Sequence, residues 1–261
     1  MADELIAAIH AARAAGKILR AGFGQSHEVQ LKGPIDIVTE VDRAAEDRII
    51  ALLGCATPDY GFLTEERDAI LGKSDARWIV DPLDGTANYA SGFPRFCVSI
   101  ALERAGELEL GVIYDPLRDE LFTAQCAAGT MLNGKPVRIS STNSLARAVI
   151  STGFSSDARV NEHNNSNEVS YFVGRVLGLR STGSAALDLA DVACGRRDAH
   201  WERGLSPYDV AAGVLLVRES GGTATDYEGD SNALYGGEII AANPTLHREM
   251  LAYLRTCHVS P

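Results

Sequence analysis

The chain has 261 residues, of which 46% are hydrophobic and 23% are charged, and its formal net charge at pH 7 is −11. This length and composition are typical of a globular protein whose core needs no disulfide support. The acidic charge argues against non-specific binding of nucleic acid, and it would repel an anionic substrate unless a cation reverses the charge locally.

Cysteine usage and the N-terminus indicate where such a chain is found. The five cysteines are scattered and include no CxxC pair: Cys55, Cys97, Cys126, Cys194 and Cys257. This pattern predicts reduced thiols in a cytoplasmic protein and argues against a zinc site or a disulfide framework. The N-terminus carries Asp3 and Glu4 and lacks the basic region and long apolar core of a signal peptide. No apolar run reaches the roughly 18 residues of a membrane helix, so no membrane association is expected.

Hydrophobic periodicity and the positions of glycine and proline predict the elements of the first half of the chain. Helices are predicted over 4–20 and 44–53, the second stopped by Gly54, and strands over 35–41, 60–63, 78–80, 96–102, 109–114 and 120–124. The last of these strands are separated by short turns at Ala105-Gly106 and Asp115-Pro116, which predicts an antiparallel meander.

A glycine-rich segment follows the meander. Gly129 to Lys135 has the spacing of a phosphate-binding P-loop, but the next residue is Pro136, where that motif needs Ser or Thr. Asn133-Gly134 within it is a strong turn signal. The segment therefore predicts a β-hairpin rather than a nucleotide site.

The pattern changes near residue 140. Strands are predicted over 148–151, 178–181 and 238–242, a polar surface loop over 157–168, and helices over 169–177, 185–193, 207–219 and 244–255. Because strands and helices mix throughout without a repeat, the sequence predicts an α/β or α+β layered sandwich. We expect one compact unit with an N-terminal half, 1–140, and a C-terminal half, 141–261.

The segment WIVDPLDGTANY, Trp78 to Tyr89, carries the most chemistry. Asp81 and Asp84 lie at a predicted corner between a buried strand and a helix, and Gly85-Thr86 follows directly. Several carboxylate oxygens at one point suit a hard divalent cation, and the N–H groups of a helix N-terminus suit a phosphate. Metal and anion at one corner indicate phosphoryl transfer or phosphate hydrolysis.

Other acidic residues have two interpretations. Glu65-Glu66-Arg67 is most simply a solvated charge run, although its place before the Asp81 corner favours a function. Asp209 would be the acidic third residue of a capping box begun by Ser206, yet a carboxylate at a helix start can also face a metal. The rings of Trp201 and Tyr208, on either side of Glu202, are expected to pack rather than to stack on a ligand.

Several segments in order resemble the inositol monophosphatase family, within the lithium-sensitive, magnesium-dependent phosphatase superfamily. The family motif DP(I/L)DGTxN(F/Y) is matched in full by Asp81 to Tyr89. Further matching blocks are DIVTEVD (Asp36 to Asp42), FLTEE (Phe62 to Glu66), RSTGSAALDL (Arg180 to Leu189) and DAHWE (Asp198 to Glu202), with Asp209 beyond it. The resemblance implies the layered αβαβα sandwich of inositol monophosphatases and fructose bisphosphatases.

The resemblance also implies a site for two or three Mg²⁺ ions. Glu65, Asp81 and the carbonyl of Leu83 would hold the first ion, and Asp81, Asp84 and Asp209 the second. Glu65 would contribute to a third. The N-terminal half would then carry most metal ligands, and the C-terminal half would carry Asp209 and the substrate contacts.

Residues around these ions would handle the phosphate ester. By resemblance, the backbone N–H groups of Gly85 and Thr86 would bind phosphate, and Thr86 with Asp42 would orient the attacking water. Contacts to the hydroxyl-bearing part of the substrate would come from Gly183, Ser184, Ala185 and Glu202, and Lys32 matches a basic residue near the family's active site.

Two departures from the family pattern concern the alcohol rather than the reaction. Tyr208 stands where a tryptophan is common, and Arg196-Arg197 stands where small residues are common. The leading hypothesis is a phosphomonoesterase acting on inositol 1-phosphate, a small-molecule substrate, in a homodimer. Alternatives are a related phosphatase acting on fructose 1,6-bisphosphate, a 3′-phosphoadenosine nucleotide or histidinol phosphate, and a non-catalytic regulatory or interaction protein on the same fold.

Overall fold

The computed structural model describes residues 2–25, 30–31, 37–38, 40–155, 158, 160–161 and 164–257. Its helices are α1 (Ala2–Gly22), α2 (Glu40–Ala56), α3 (Thr86–Ser91), α4 (Ser166–Val173), α5 (Ala185–Ala193), α6 (Pro207–Glu219) and α7 (Pro244–Cys257). Its strands are β1 (Gln30–Leu31), β2 (Ile37–Val38), β3 (Gly61–Thr64), β4 (Ala76–Asp84), β5 (Cys97–Arg104), β6 (Glu107–Asp115), β7 (Glu120–Gln125), β8 (Gly129–Leu132), β9 (Lys135–Val137), β10 (Val149–Thr152), β11 (Gly178–Arg180), β12 (Ala199–Arg203), β13 (Thr223–Thr225) and β14 (Glu238–Ala242). Short 3₁₀ helices occupy Leu145–Arg147 and Asn232–Leu234.

The larger sheet has seven strands in the order β3-β4-β5-β6-β7-β8-β9. β3 pairs with β4 in parallel, and every later neighbour is antiparallel, which confirms the predicted meander. β8 and β9 form the predicted hairpin, in which Asn133 and Gly134 both take positive φ angles of 49° and 74°. Positive φ at both central residues is what the favoured two-residue hairpin turns require.

The smaller sheet has five strands in the order β11-β10-β12-β14-β13. β10 pairs in parallel with both β11 and β12, whereas β14 is antiparallel to β12 and β13. The strands of the two sheets come from separate parts of the sequence, 61–137 and 149–242. The change of sheet falls between Val137 and Val149, near the position where the sequence pattern changes.

Helices and sheets alternate in five layers. The apolar faces of α1 and α2 cover one face of the larger sheet around Trp78. Helices α5 and α6 lie between the two sheets, and every residue of α5 is buried, as a middle layer requires. Helices α4 and α7 cover the outer face of the smaller sheet around Trp201. This arrangement confirms the predicted αβαβα sandwich.

Most predicted elements are present, and a few predictions were wrong. Helix α2 continues through Gly54 to Ala56, because its Leu53 remains buried in the core and no αL cap forms there. The polar segment 157–168 is not only a surface loop: Asn165 and Glu168 are buried, and α4 begins at Ser166. β12 was not predicted at all.

Cys55, Cys97, Cys126 and Cys194 are free thiols in the structure. Of the helices in the ranges given above, none is long and apolar enough to cross a membrane.

Candidate active site

The site is built on the corner where β4 ends. Between Asp81 and Asp84 the register with β5 shifts, and such an irregularity re-aims side chains at the end of a strand. Gly85 then adopts φ 100° before α3 starts at Thr86. A Cβ at Gly85 would lie 2.9 Å from the carbonyl oxygen of Arg95 and 3.2 Å from that of Gly183. Only glycine fits this turn, so the sequence Asp-Gly-Thr fixes the corner.

Asp84 is held by donors from distant parts of the chain. Its Oδ2 accepts hydrogen bonds from Ser184 Oγ at 2.5 Å and from the backbone N–H of Ala186 at 2.9 Å. The Cys97 thiol also donates to Oδ2, at 3.6 Å. Because these donors all engage one oxygen, the carboxylate is fixed in a single orientation with Oδ1 left to face another ligand.

The carboxylates named in the sequence lie within electrostatic range of one another. Burial, followed by the charges of Glu65, Asp84 and Asp209, raises the pKa of Asp81 well above its usual value. Burial also raises the pKa of Asp84 to about 6, against the lowering effect of its hydrogen bonds from Ser184 and Ala186. The structure therefore brings together residues from β4, from α6 and from the position just after β3, and their mutual repulsion would be relieved by a cation.

Asp209 forms the predicted helix cap, and its carboxylate is buried near the charges of the acidic corner. Its Oδ2 accepts a hydrogen bond from the backbone N–H of Ser206 at 2.6 Å, which completes the predicted capping box of α6. Burial and the charges of Asp84, Glu65 and Glu202 raise its pKa well above the usual value. The cap thus holds one oxygen while the carboxylate still faces the acidic corner.

Thr86 and Asp42 are in direct contact. The Thr86 hydroxyl lies 3.0 Å from Asp42 Oδ1 and 3.0 Å from the carbonyl oxygen of Leu83. Asp42 is fully buried in the first turn of α2. Since a hydroxyl donates one proton, its lone pairs remain able to accept a hydrogen bond from water.

Glu65 directly follows β3, whose Thr64 pairs with Val80 of β4. This parallel register places Glu65 beside Asp81. The next residues are more than a solvated charge run, because Glu66 N–H and the Arg67 guanidinium both donate to the buried Glu46. Lys32 lies outside the described residues.

The predicted substrate segment is tied to the corner by Asn88. The Asn88 amide donates to the carbonyl oxygens of Arg95, Thr182 and Gly183 at 2.7, 2.8 and 3.1 Å. Gly183 has φ 73°, and Ser184 then caps α5, which starts at Ala185. The three predicted contact residues at 183–185 therefore lie at the edge of the acidic corner.

Glu202 lies on β12, the strand that sequence analysis missed. Its side chain is 12% exposed, and it covers Gly153 so closely that a Cβ there would overlap the carboxylate. The charge of Glu202 raises the pKa of Asp84 and Asp209, so it too borders the acidic corner. Trp201, on the opposite face of the strand, is buried and donates to Asn165 Oδ1 at 2.7 Å, so it packs as predicted.

A buried ion cluster beneath the substrate segment was not predicted. Arg95 Nη2 donates to Asp188 Oδ1 at 3.0 Å and to Asp191 Oδ2 at 2.7 Å, and Arg197 contacts both carboxylates at 3.3 Å. Thr182 also donates to Asp188. Removing one member would leave an unpaired buried charge, which is costly. No local pattern in the sequence marks these residues as partners.

The two departures from the family pattern occupy different environments. Arg197 belongs to the buried ion cluster, whereas Arg196 is 42% exposed and pairs with Glu120 of β7 at 2.5 Å. Tyr208 is half-buried, and burial followed by the charges of Asp209 and Glu65 raises its pKa to about 12. Its phenol therefore stays neutral at the border of the acidic corner.

The donor set fits magnesium. Within the described ranges, no three His, Cys, Asp or Glu side chains are arranged so that they could hold a metal ion as they stand. The candidate ligands supply oxygen atoms only, which is the preference of a hard divalent cation. Burial, followed by the charges of Asp84 and Asp81, raises the pKa of the Cys97 thiol, which favours its neutral form as a donor to Asp84.

The layered fold with an acidic corner at a strand-to-helix turn is the architecture of a class of phosphatases, and comparison with known proteins gives the family. The model of the inositol monophosphatase family matches residues 1–259, so the chain belongs to that family.

Individual relatives agree with this assignment. The chain is 47% identical to an inositol-1-monophosphatase of Mesorhizobium japonicum over 93% of its own length and 92% of the relative. It is 42% identical to the Nus factor SuhB of Escherichia coli K12 over 95% of its length and 94% of the relative. A crystal structure of the extragenic suppressor protein SuhB from Bartonella henselae superposes with a TM-score of 0.91 at 41% identity, covering 96% of this chain and 98% of that one. Family membership supports a phosphatase.

Proposed function

We propose that this protein is a magnesium-dependent phosphomonoesterase that hydrolyses inositol 1-phosphate or a similar polyol phosphate to the free alcohol and phosphate. The observation that carries the proposal is the acidic corner itself, where Asp81, Asp84 and Asp209 converge beside a glycine turn. The similarity to a protein named inositol-1-monophosphatase supports the choice of substrate.

In this proposal Glu65, Asp81, Asp84 and Asp209, with the Leu83 carbonyl, would hold two or three Mg²⁺ ions. When bound, the ions would supply Lewis-acid stabilisation of the phosphate oxygens and the leaving oxygen, and would lower the pKa of water. The hydrogen bonds that fix one oxygen of Asp84 and one of Asp209 leave the other oxygen of each for this purpose.

The chain's own groups would bind and orient the reactants. The backbone N–H groups of Gly85 and Thr86 would hold the phosphate, and the Thr86 hydroxyl, donating to Asp42 or to Leu83, would accept a hydrogen bond from the attacking water. Such positioning accounts for much of the catalysis of phosphoryl transfer. Glu202 would accept hydrogen bonds from hydroxyls of the alcohol.

The test is phosphate release measured with magnesium present and absent. A panel of inositol 1-phosphate, fructose 1,6-bisphosphate, a 3′-phosphoadenosine nucleotide and histidinol phosphate is compared by kcat/KM. The proposal expects magnesium-dependent turnover with the highest kcat/KM for inositol 1-phosphate. Higher kcat/KM for another member would assign the alternative substrate within the superfamily. Lithium is expected to inhibit in an uncompetitive or noncompetitive manner, and purely competitive inhibition would exclude lithium from the second metal position.

A role as an interaction protein is the alternative from another class, and it is favoured by the 42% identity to a Nus factor SuhB. The presence of every proposed metal ligand argues against a site that has lost catalysis. Absence of phosphate release from the whole panel at saturating magnesium would favour this alternative.

We also propose a homodimer, as the family resemblance implies, in the cytoplasm, as the cysteine usage predicts. Light scattering at micromolar concentration should then give about twice the chain mass of 27.8 kDa. A monomer in that measurement would contradict the dimer and leave the catalytic proposal intact, because every proposed ligand comes from one chain.

A further inference from the structure

A fully buried histidine lies next to the proposed substrate contact. β12 alternates between two faces: Ala199 and Trp201 pack on the outer core with α7, while His200 and Glu202 point toward the middle layer. His200 has 0% exposure and therefore cannot touch a substrate. Its effect on the site must pass through its neighbours.

Each ring nitrogen of His200 faces a different group. Nδ1 lies 3.0 Å from the Ser151 hydroxyl, which sits directly opposite it on β10, and 3.8 Å from Asp188 Oδ2. Nε2 lies 3.3 Å from Glu202 Oε2. This last contact is not aligned as a hydrogen bond, so Nε2 has no hydrogen-bond partner among the described residues.

The surroundings select one tautomer. An ionised carboxylate can only accept a hydrogen bond, so the proton belongs on Nε2, facing Glu202. Nδ1 then accepts from the Ser151 hydroxyl. Asp188 does not compete for the ring, because its Oδ1 is held by Arg95 and Thr182 and its Oδ2 is too far from Nδ1 for a hydrogen bond.

An unpaired buried N–H costs free energy, and the Glu202 carboxylate is the group near enough to relieve that cost. On its other side the same carboxylate rests on Gly153, where a Cβ would overlap it. Glu202 thus lies between Gly153 and the Nε2 edge of the His200 ring, which is 3.3 Å from Oε2 and has no other hydrogen-bond partner among the described residues.

We propose that His200 is a positioning residue that fixes the Glu202 carboxylate and thereby selects phosphate esters whose alcohol carries hydroxyl groups. The inference rests on the proposed function for the identity of the substrate. It adds a specificity determinant that never contacts the substrate. Ser151 supports this role because its hydroxyl donates to Nδ1, which leaves the ring proton on Nε2.

Two substitutions of nearly equal size separate positioning from packing. In His200→Gln the side-chain amide can still place an N–H near the Nε2 position, whereas in His200→Asn the shorter amide reaches only the Nδ1 side, toward Ser151. For inositol 1-phosphate, His200→Asn should raise KM and lower kcat/KM by about tenfold or more, the effect of losing a hydrogen bond to a charged group. His200→Gln should remain within about threefold of wild type. For phenyl phosphate, which offers no alcohol hydroxyls, both variants should remain within about threefold.

A double-mutant cycle tests whether His200 acts through Glu202. If it does, the effect of His200→Asn on inositol 1-phosphate should disappear in a Glu202→Gln background, because the group being positioned has changed. Equal losses on both substrates, or losses that add in the double variant, would show a general structural role and overturn the proposal. Melting curves of all variants check that each is folded.

A readout independent of turnover completes the test. The ¹⁵N shifts of His200, assigned by their loss in His200→Gln, should report a proton on Nε2, and a crystal structure of His200→Asn should show Glu202 in more than one orientation. A proton on Nδ1 alone, or an unchanged Glu202, would overturn the positioning role. If wild type hydrolyses no member of the panel, the proposed function has failed, and these two measurements still decide the role of His200.

Discussion

Substituting Gly85 by alanine tests the geometry of the acidic corner most directly. Gly85 has φ 100°. A Cβ added to it would lie 2.9 Å from the carbonyl oxygen of Arg95 and 3.2 Å from that of Gly183. These are backbone atoms, which cannot turn aside as the end of a flexible side chain can. Gly85→Ala should therefore force the corner away from the substrate segment.

The other end of the same short helix provides a matched control. Gly92 also has a positive φ, 77°, but a Cβ there would meet nothing within 4 Å. Alanine in a left-handed conformation costs about 1–2 kcal/mol at either position. Overpacking against fixed backbone adds about 1–3 kcal/mol at Gly85 alone. The difference between the two variants thus isolates the close approach from the conformational cost.

Urea unfolding of both variants measures the difference. Gly85→Ala should be less stable than Gly92→Ala by about 1–3 kcal/mol. It should also lose most phosphatase activity, whereas Gly92→Ala should keep it. Equal free energies of unfolding for the two variants would refute the reasoning, because they would mean that no backbone lies against Gly85.

Three further predictions concern the metal ligands and the contact between the halves. Asp84→Asn should leave the fold intact and lower kcat by ~10²-fold or more, and near-wild-type kcat at saturating magnesium would contradict its assignment as a ligand. At a hundredfold excess over Kd, magnesium should raise the free energy of unfolding of wild type by about 2.7 kcal/mol, and it should therefore raise the melting temperature of wild type more than that of Asp209→Ala. An unchanged melting temperature of wild type would contradict a shared site. The Tyr235 hydroxyl accepts a hydrogen bond from Arg77 and donates one to the buried Glu103, each at 2.6 Å. Tyr235→Phe should therefore lower the free energy of unfolding by about 1–2 kcal/mol. A change below a few tenths of a kcal/mol would show that this contact is not formed in solution.

The elements that sequence analysis predicted well carry their own boundary signals. The predicted bounds of α5 and α6, 185–193 and 207–219, coincide with those of the structure. Ser184 and Ser206 are the N-cap residues of the two helices, and most residues within each helix are small and apolar. Such local information is available from the sequence alone.

The elements that were missed depend on partners elsewhere in the chain. β12 reads Ala-His-Trp-Glu-Arg, which has no strong strand preference, and it forms because β10 and β14 pair with it on both sides. Asn165 lies in a polar stretch but is buried, and its amide forms hydrogen bonds with Thr152, Gly153 and Trp201. Tertiary contacts decide such cases, and one sequence does not reveal them.

For the site, the sequence predicted the corner but not what supports it. The spacing of Asp81, Asp84 and Gly85 was enough to expect carboxylates beside a tight turn. Nothing in that spacing predicts that Asp84 is oriented by Ser184 and Ala186, about 100 residues later in the chain. That information resides only in the folded structure.

The large sequence separation between Asp84 and its hydrogen-bond donors has a consequence during synthesis. A nascent chain that has emerged only as far as β9 has all strands of the larger sheet but neither of the residues that orient this carboxylate. The first sheet can therefore form on the ribosome with its acidic corner unfinished. The corner acquires its final geometry only after α5 and then α6, which carries Asp209, have left the exit tunnel and docked, so the ability to hold a cation tightly would be acquired late in synthesis.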